Sequence, residues 1–517
     1  MLSSRKVLTN LPSSFILCRY STKAKIDYSI SEKAKPYKEI PGPTRYQLIR
    51  GVLPGGIFHG RSLKDFSNIL REKHGDLIKL PGTFGNPDIV ISYNPDHFEK
   101  ILRTEGIWPF RRPLNSFTYF RENVQKEFYK EYQGLANTNG EDWGKMRSAV
   151  NPIIMSPTNV KLYFPKVLNA NNEFIERIRE VRNPETFIVP DDFLQEINRL
   201  TFESVVAVAL DRELGLIRKN RDNPDAIKTF KLLNRVFQLM YDLDIKPPFW
   251  KIIKTKNFKE MMASLNAIQT FFEKYVNEAV ESMDMSKKPE EQSVLQKLIN
   301  VDKKLAIVMA MDMLLAGVDT TSTIFTGVLL CMGTNPDKQE ILREEIRKIL
   351  PNKDSELTVE NMKNMPYLRA CIKESIRLYP IGPGTVRRSN QDLEIDGYFV
   401  PSGTDFSLNT EMLMRDSKHY SDPLKFIPER WLREGVTEKS QCPAASKAEH
   451  PFVYIPFGFG PRMCVGKRIV DLELEIGLAK IIRNYQLEYN YPPEEVFTSY
   501  LLNTPKAPLR FKFTDVE

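Results

Sequence analysis

Residues 457 to 466 read Phe457-Gly458-Phe459-Gly460-Pro461-Arg462-Met463-Cys464-Val465-Gly466. This glycine-rich loop presents one cysteine just before a helix expected over Lys467 to Arg483. Amide groups at a helix N-terminus and the guanidinium of Arg462 both favour a thiolate, and the glycines let a flat ligand approach the backbone. That is the setting of a thiolate metal ligand. Other metal chemistry is poorly supported: the five cysteines (Cys18, Cys331, Cys371, Cys442, Cys464) never form a CxxC pair, and the five histidines never form HExxH. Cysteines that are odd in number and dilute also fit reducing conditions better than a disulfide framework.

A second chemical centre lies in the longest apolar segment, Leu305 to Gly333, whose middle reads Ala316-Gly317-Val318-Asp319-Thr320-Thr321. Asp312 and Asp319 interrupt the segment. Charges are costly in a membrane-spanning helix, so a buried core helix is favoured. Glycine, aspartate and threonine clustered mid-helix are expected to weaken the hydrogen-bond ladder there. A weakened turn beside an acid and an alcohol suits a small ligand that must receive protons; a packing kink with a solvated Asp is the plainer alternative.

The elements that must position these groups follow from the pattern of the chain. Its 517 residues, 41% hydrophobic and 27% charged, supply a large core. Two β-rich runs, Asp76 to Leu80 and Asp88 to Ser92, precede a helix beginning near Pro95. Helical periodicity prevails from about 160 to 380, and short strands return around Leu393 to Val400 with a turn at Asp396-Gly397. The fold class is mostly α with a small β portion, in one large domain over residues 41–517. Residues 23–40 read as a linker, and residues 1–22 as a mitochondrial transit peptide. This leader is rich in Arg, Lys and Ser, and the first acid of the chain is Asp27. A disordered basic tail is the alternative. The net charge is +8, and five of those charges fall in the first 25 residues, so the body is nearly balanced and carries no basic stripe for nucleic acid.

Phe457, Gly460, Arg462, Cys464 and Gly466 together match the pattern FxxGxRxCxG, and at this point the chain resembles the cytochrome P-450 superfamily of haem-thiolate monooxygenases. Chance would supply such a match with a probability on the order of 10⁻⁴. Further resemblances keep the family's order. Ala316 to Thr321 match its oxygen-binding helix. Glu374 and Arg377 match its ExxR pair, completed by Arg430. Trp143 and Arg147 match its WxxxR helix. The resemblance implies a cytochrome P-450 fold and haem b with Cys464 as the axial iron ligand. It also implies that Trp143 and Arg147 contact the haem carboxylates, that Arg387 and Arg462 supply further positive charge to them, and that Phe457 belongs to the haem-binding set; Arg388 competes with Arg387 for its role. Asp319 and Thr320 would then deliver protons during the activation of O2.

On the helix expected from Pro366 to Tyr379, Leu368, Cys371, Ile372, Ser375 and Leu378 form one stripe, and Arg369 and Lys373 point away from it. The pair is expected to be exposed, as a solvated face or as a site that steers an acidic partner. In mitochondrial family members the matching residues dock a [2Fe-2S] ferredoxin, which its reductase supplies with electrons from NADPH. The resemblance is to insect mitochondrial members, particularly those that oxidise xenobiotics and insecticides, with hormone synthesis by an ecdysteroid hydroxylase as the alternative. A haem-thiolate protein that only binds ligands, or that isomerises peroxides, is the reading from another class. Pocket walls are implied in Trp108 to Gln133, Val236 to Trp250, Met311 to Ala316, Ile381 to Val386 and Ser499 to Leu502. Their largely apolar residues imply a lipophilic substrate. The stretch from Phe237 to Trp250 could also dip peripherally into the inner mitochondrial membrane, facing the matrix; ordinary core packing explains any one of these residues equally well.

Overall fold

The computed structural model describes residues 30–517, apart from 84, 219–222, 285, 433–449, 500, 501 and 507. The expected leader, the first part of the linker, Cys18 and Cys442 lie outside the described residues. Near the N-terminus, β1 (Leu77–Leu80) and β2 (Ile89–Ser92) pair antiparallel, and α1 (Pro95–Thr104) follows. Asn94 caps α1 by accepting from the Asp96 N–H, and Pro95 stands in the first turn, where a missing N–H costs nothing.

The chain returns to this sheet much later. The strands β3 (Thr385–Arg388), β4 (Leu393–Ile395), β5 (Tyr398–Val400) and β6 (Asp405–Leu408) follow one another closely. The four-stranded sheet has the order β1-β2-β6-β3, with β6 parallel to β2 and antiparallel to β3. β4 and β5 form a separate hairpin that turns at Asp396 and Gly397, both with positive φ, as two-residue hairpin turns require. Sheet residues build one apolar cluster and the helices build a much larger one.

The helical layer includes α2 (Gly140–Ile154), α3 (Val160–Val181), α4 (Leu194–Ala209), α5 (Pro224–Met240), α6 (Lys256–Glu281) and α7 (Lys303–Thr334). Asp302 caps α7 by accepting from the Leu305 N–H at 2.7 Å, and Asn335-Pro336 ends it. By length and composition α7 could cross a membrane, yet 72% of its most apolar stretch is buried inside the protein. It packs chiefly along α4, where a Cβ on Gly317 would stand 3.0 Å from a Val205 methyl.

The glycine, aspartate and threonine cluster does not break this helix. α7 runs unbroken from Lys303 to Thr334. Thr320, Ser322 and Thr326 each donate to the carbonyl four residues back, at 2.6, 2.8 and 2.8 Å, so these three hydroxyls are satisfied within the helix. Asp319, the acid of that turn, is half-buried, and Asp312 is ion-paired.

Two further helices, α8 (Pro366–Leu378) and α9 (Lys467–Asn484), flank the cysteine loop. The side chains of Glu374, Arg377 and Arg430 are all wholly buried. Arg377 donates twice to Glu374 at 2.9 Å, Arg430 once at 3.2 Å, and the Trp431 indole once at 2.9 Å. Trp431 lies 4.5 Å from the Tyr454 ring, and the Tyr454 hydroxyl donates to the Lys373 carbonyl. The chain leading to Cys464 is thereby tied to α8. Replacing Glu374 with Ala would leave two guanidinium groups buried without their shared carboxylate, at a cost of about 3–5 kcal/mol. The variant is expected to lose most of its soluble, folded yield, as measured by recovery and by thermal unfolding beside the parent.

Candidate functional site

The cysteine loop is shaped by its own backbone. Cys464 N–H donates to the Phe457 carbonyl at 2.8 Å, Met463 N–H donates to the Gly460 carbonyl at 3.1 Å, and α9 begins three residues after the cysteine. Cys464 keeps accessible surface although protein surrounds it. Burial pushes its thiol above the ordinary range, while the Gly466 N–H, Arg147 and Lys467 pull it down. The charge expected from Arg462 is supplied by Arg147 and Lys467 instead, because Arg462 is turned away. Its Nε donates to the Pro109 carbonyl at 2.9 Å, and the rest of its fork reaches the carbonyls of Leu135 and Thr138 and the Asn139 side chain. The guanidinium also lies 4.0 Å over the buried ring of Trp143. Phe457 is half-buried, with Lys467 5.2 Å from its ring centre.

Around the loop, positive charge is under-compensated. Arg147, from α2, donates to the Met463 carbonyl at 2.7 Å, and its buried Nε has no partner among the described residues. Arg387, from β3, has its Nε 3.0 Å from Glu105, close enough for an ion pair but without hydrogen-bond alignment. Strand alternation decides between the two neighbouring arginines: Arg387 faces inward, and Arg388 pairs across the sheet with Asp405 at 2.7 Å. Burial and repulsion from Arg111, Arg387 and Arg147 push Arg462 down to about 9, against one opposing carboxylate, Glu105. Burial pushes Glu105 up to about 7, with Arg387 and Arg462 opposing the rise. Neither Arg111 nor Glu105 stands out in sequence. A single Arg or Glu in a loop carries no periodic signal, and only the fold brings them to the cluster.

Among the described residues this donor set fits a flat ligand with a metal centre and two carboxylates, the thiol meeting the metal and the guanidinium groups meeting the acids. The sequence profile of the cytochrome P450 family matches residues 41–513. The chain belongs to the cytochrome P450 family. Cytochrome P450 CYP12A2 of Musca domestica is 48% identical over 518 residues, covering 98% of this chain and 96% of the relative. "Probable cytochrome P450 12a5, mitochondrial" of Drosophila melanogaster is 48% identical, covering 94% of this chain and 92% of the relative. "Probable cytochrome P450 12c1, mitochondrial", from the same species, is 45% identical, with 94% and 93% covered. This cytochrome P450 is therefore a haem monooxygenase with a cysteine thiolate as iron ligand. When bound, the haem activates dioxygen for insertion into a substrate.

Two residues of α7, Thr320 and Asp319, have the chemistry to hold or pass a proton there. The Thr320 hydroxyl donates to the Ala316 carbonyl at 2.6 Å and can still accept a hydrogen bond through its oxygen. Burial alone pushes the neighbouring Asp319 up to about 7, so near neutral pH its carboxyl can both hold and release a proton. Behind the helix, Thr321, Thr201, Ser204 and Asn171 surround Glu473 of α9 and a cavity of about 10 Å³. Burial pushes Glu473 up to about 8, with Thr321 opposing the rise. Its sequence signal was available: an acid between Leu472 and Leu474 on a helix buried on most sides.

The Arg369–Lys373 pair does not present itself as expected. Lys373 is exposed on α8, with its Nζ 6.0 Å from the Trp431 ring centre. Arg369 is half-buried: it donates to the carbonyls of Met362 and Lys363 at 2.8 Å and lies 3.8 Å from Glu475. It closes the turn before α8. The apolar stripe on that helix is buried as expected.

A carboxyl raised by burial binds its proton more tightly folded than unfolded. Between the ordinary carboxylate range near 4 and about 7, folding takes up that proton and stability falls as pH rises. Asp319→Asn removes this dependence. Measured on the haem-loaded enzyme, the variant is expected to come closest to the parent below about pH 4 and to exceed it by ~2–4 kcal/mol above pH 8, while product formation drops at least tenfold.

Proposed function

We propose that this enzyme is a mitochondrial monooxygenase that oxidises lipophilic small molecules, xenobiotics foremost, with electrons from NADPH delivered through ferredoxin reductase and a [2Fe-2S] ferredoxin. The observation that carries the reading is the end-to-end match to relatives named mitochondrial, which spans more than nine-tenths of both chains. The basic, acid-free first 25 residues support it as a leader. Electron delivery rests on Lys373, exposed on α8, with Arg369 contributing to the shape of that face.

Attachment to the matrix side of the inner membrane is part of the same reading, with a change in the residues involved. Trp250, expected to dip into the interface, is buried and stacked on Phe258 at 5.0 Å, and Leu239 and Met240 are buried as well. The exposed apolar residues lie beside them: Phe249 at 60%, Ile252 at 85% and Ile253 at 72%, flanked by exposed Lys251 and Lys254. Apolar side chains between lysines suit the surface of an anionic bilayer.

Titration of the ferric enzyme with several unrelated lipophilic xenobiotics is expected to give saturable spin-state shifts. Tight binding of an ecdysteroid precursor alone would replace detoxification with hormone synthesis. In a reconstituted assay, Lys373→Gln is expected to raise the ferredoxin concentration for half-maximal turnover severalfold and to flatten its salt dependence, with substrate affinity unchanged. Arg369→Gln is expected to lower the thermal midpoint instead.

A further inference from the structure

Asp312 lies on α7 one turn before Ala316, and its carboxylate is engaged by the chain that crosses the helix. Arg121, in the π-helical turn Phe120–Val124, donates from Nη2 to Asp312 at 2.6 Å, and the Leu135 N–H donates to the other carboxylate oxygen at 3.0 Å. Arg121 also donates from Nη1 to the Gln133 carbonyl, and its guanidinium lies 4.8 Å from the Tyr129 ring centre. The pair is buried, with side-chain exposures of 4% and 12%. Gly134 is left-handed at φ +79°, and a Cβ there would stand 2.1 Å from Arg121 Nη1 and 2.3 Å from Asp312 Oδ2. Glycine alone permits this approach.

The far end of the same short segment, 133–139, is gripped from the other side. Arg462, two residues before Cys464, donates to the Leu135 carbonyl at 3.2 Å, the Thr138 carbonyl at 2.9 Å and Asn139 Oδ1 at 2.7 Å. The segment therefore ties the helix that carries Thr320 to the loop that carries Cys464. A buried ion pair adds little net stability over a well-packed apolar replacement, whereas its bonds have fixed directions. We propose that Arg121 and Asp312 are a positioning pair that holds segment 133–139 in place and thereby fixes the Cys464 loop relative to the Thr320 turn.

The test replaces both partners, Arg121→Leu with Asp312→Leu, in the haem-loaded enzyme. The thermal midpoint is expected to stay within a few degrees of the parent. Amide hydrogen exchange over residues 133–138 is expected to accelerate at least tenfold with the rest of the chain unchanged. After chemical reduction under carbon monoxide, the half-time for loss of the thiolate-type spectrum is expected to shorten at least fivefold. Parent-like exchange and half-time in the folded double variant would show that the pair only fills space, and exchange raised evenly across the chain would reduce it to a general stability element. Should the double variant not fold, Arg121→Lys is read by the same two measurements. It keeps the charge but not the fork, so it is expected to move both in the same direction, and parent-like values would overturn the proposal.

Discussion

A single carboxylate, Glu374, holds two guanidinium groups out of water, and the rest of the site hangs from that arrangement. Buried charge is tolerated only when paired with good geometry, and here both Glu374 oxygens accept from directed donors: Arg377, Arg430, the Trp431 indole and the Ile427 N–H. Arg377 directs its remaining hydrogens to the carbonyls of Met414, Pro423 and Lys425. Three stretches of chain distant in sequence meet at one point. Trp431 and Tyr454 carry that fixed point to the strand of chain that ends at Cys464. An apolar core could supply as much stability, but it would not specify direction so tightly.

Charge is handled in the opposite way a short distance off. Arg111, Arg147, Arg387 and Arg462 repel one another with Glu105 as the one opposing carboxylate among the described residues. The imbalance leaves room for acidic groups such as the carboxylates of a bound haem, which would meet Arg147 and Arg387. Asp319 and Glu473 show the same economy on the acidic side, since burial with no cationic partner among the described residues keeps each able to hold a proton near neutral pH. The fold thus neutralises charge where it needs rigidity and leaves charge uncompensated where it needs chemistry.

Much of this was legible in the residues. The cysteine loop and the helix after it, the early strand pair, the Asp396-Gly397 hairpin and the buried stripe of α8 all follow from local patterns, because turn geometry, helix capping and periodicity act over a few residues. The continuity of α7 was not legible. Propensity counts glycine, aspartate and threonine as helix-weakening, whereas in the fold the hydroxyls bond back to the helix and Gly317 makes room for Val205. Arg462, Arg369 and Trp250 have the residue types expected of a propionate contact, a docking charge and a membrane anchor. Tertiary contacts give the first two to backbone carbonyls and bury the third.

The sequence by itself singled out the candidate thiolate Cys464, the acid–alcohol pair on the central helix, the ExxR set and the family, because each rests on residue identity at a fixed local spacing. Only the tertiary structure decided which arginines face the cluster, that Glu105 opposes them, and that Arg121 and Asp312 clamp segment 133–139 between helix and loop. Electrostatic partnership depends on distance in space and on burial, and neither is encoded in spacing along the chain. Arg387 and Arg388 are adjacent in sequence, yet the pleat of one strand sends them to different partners.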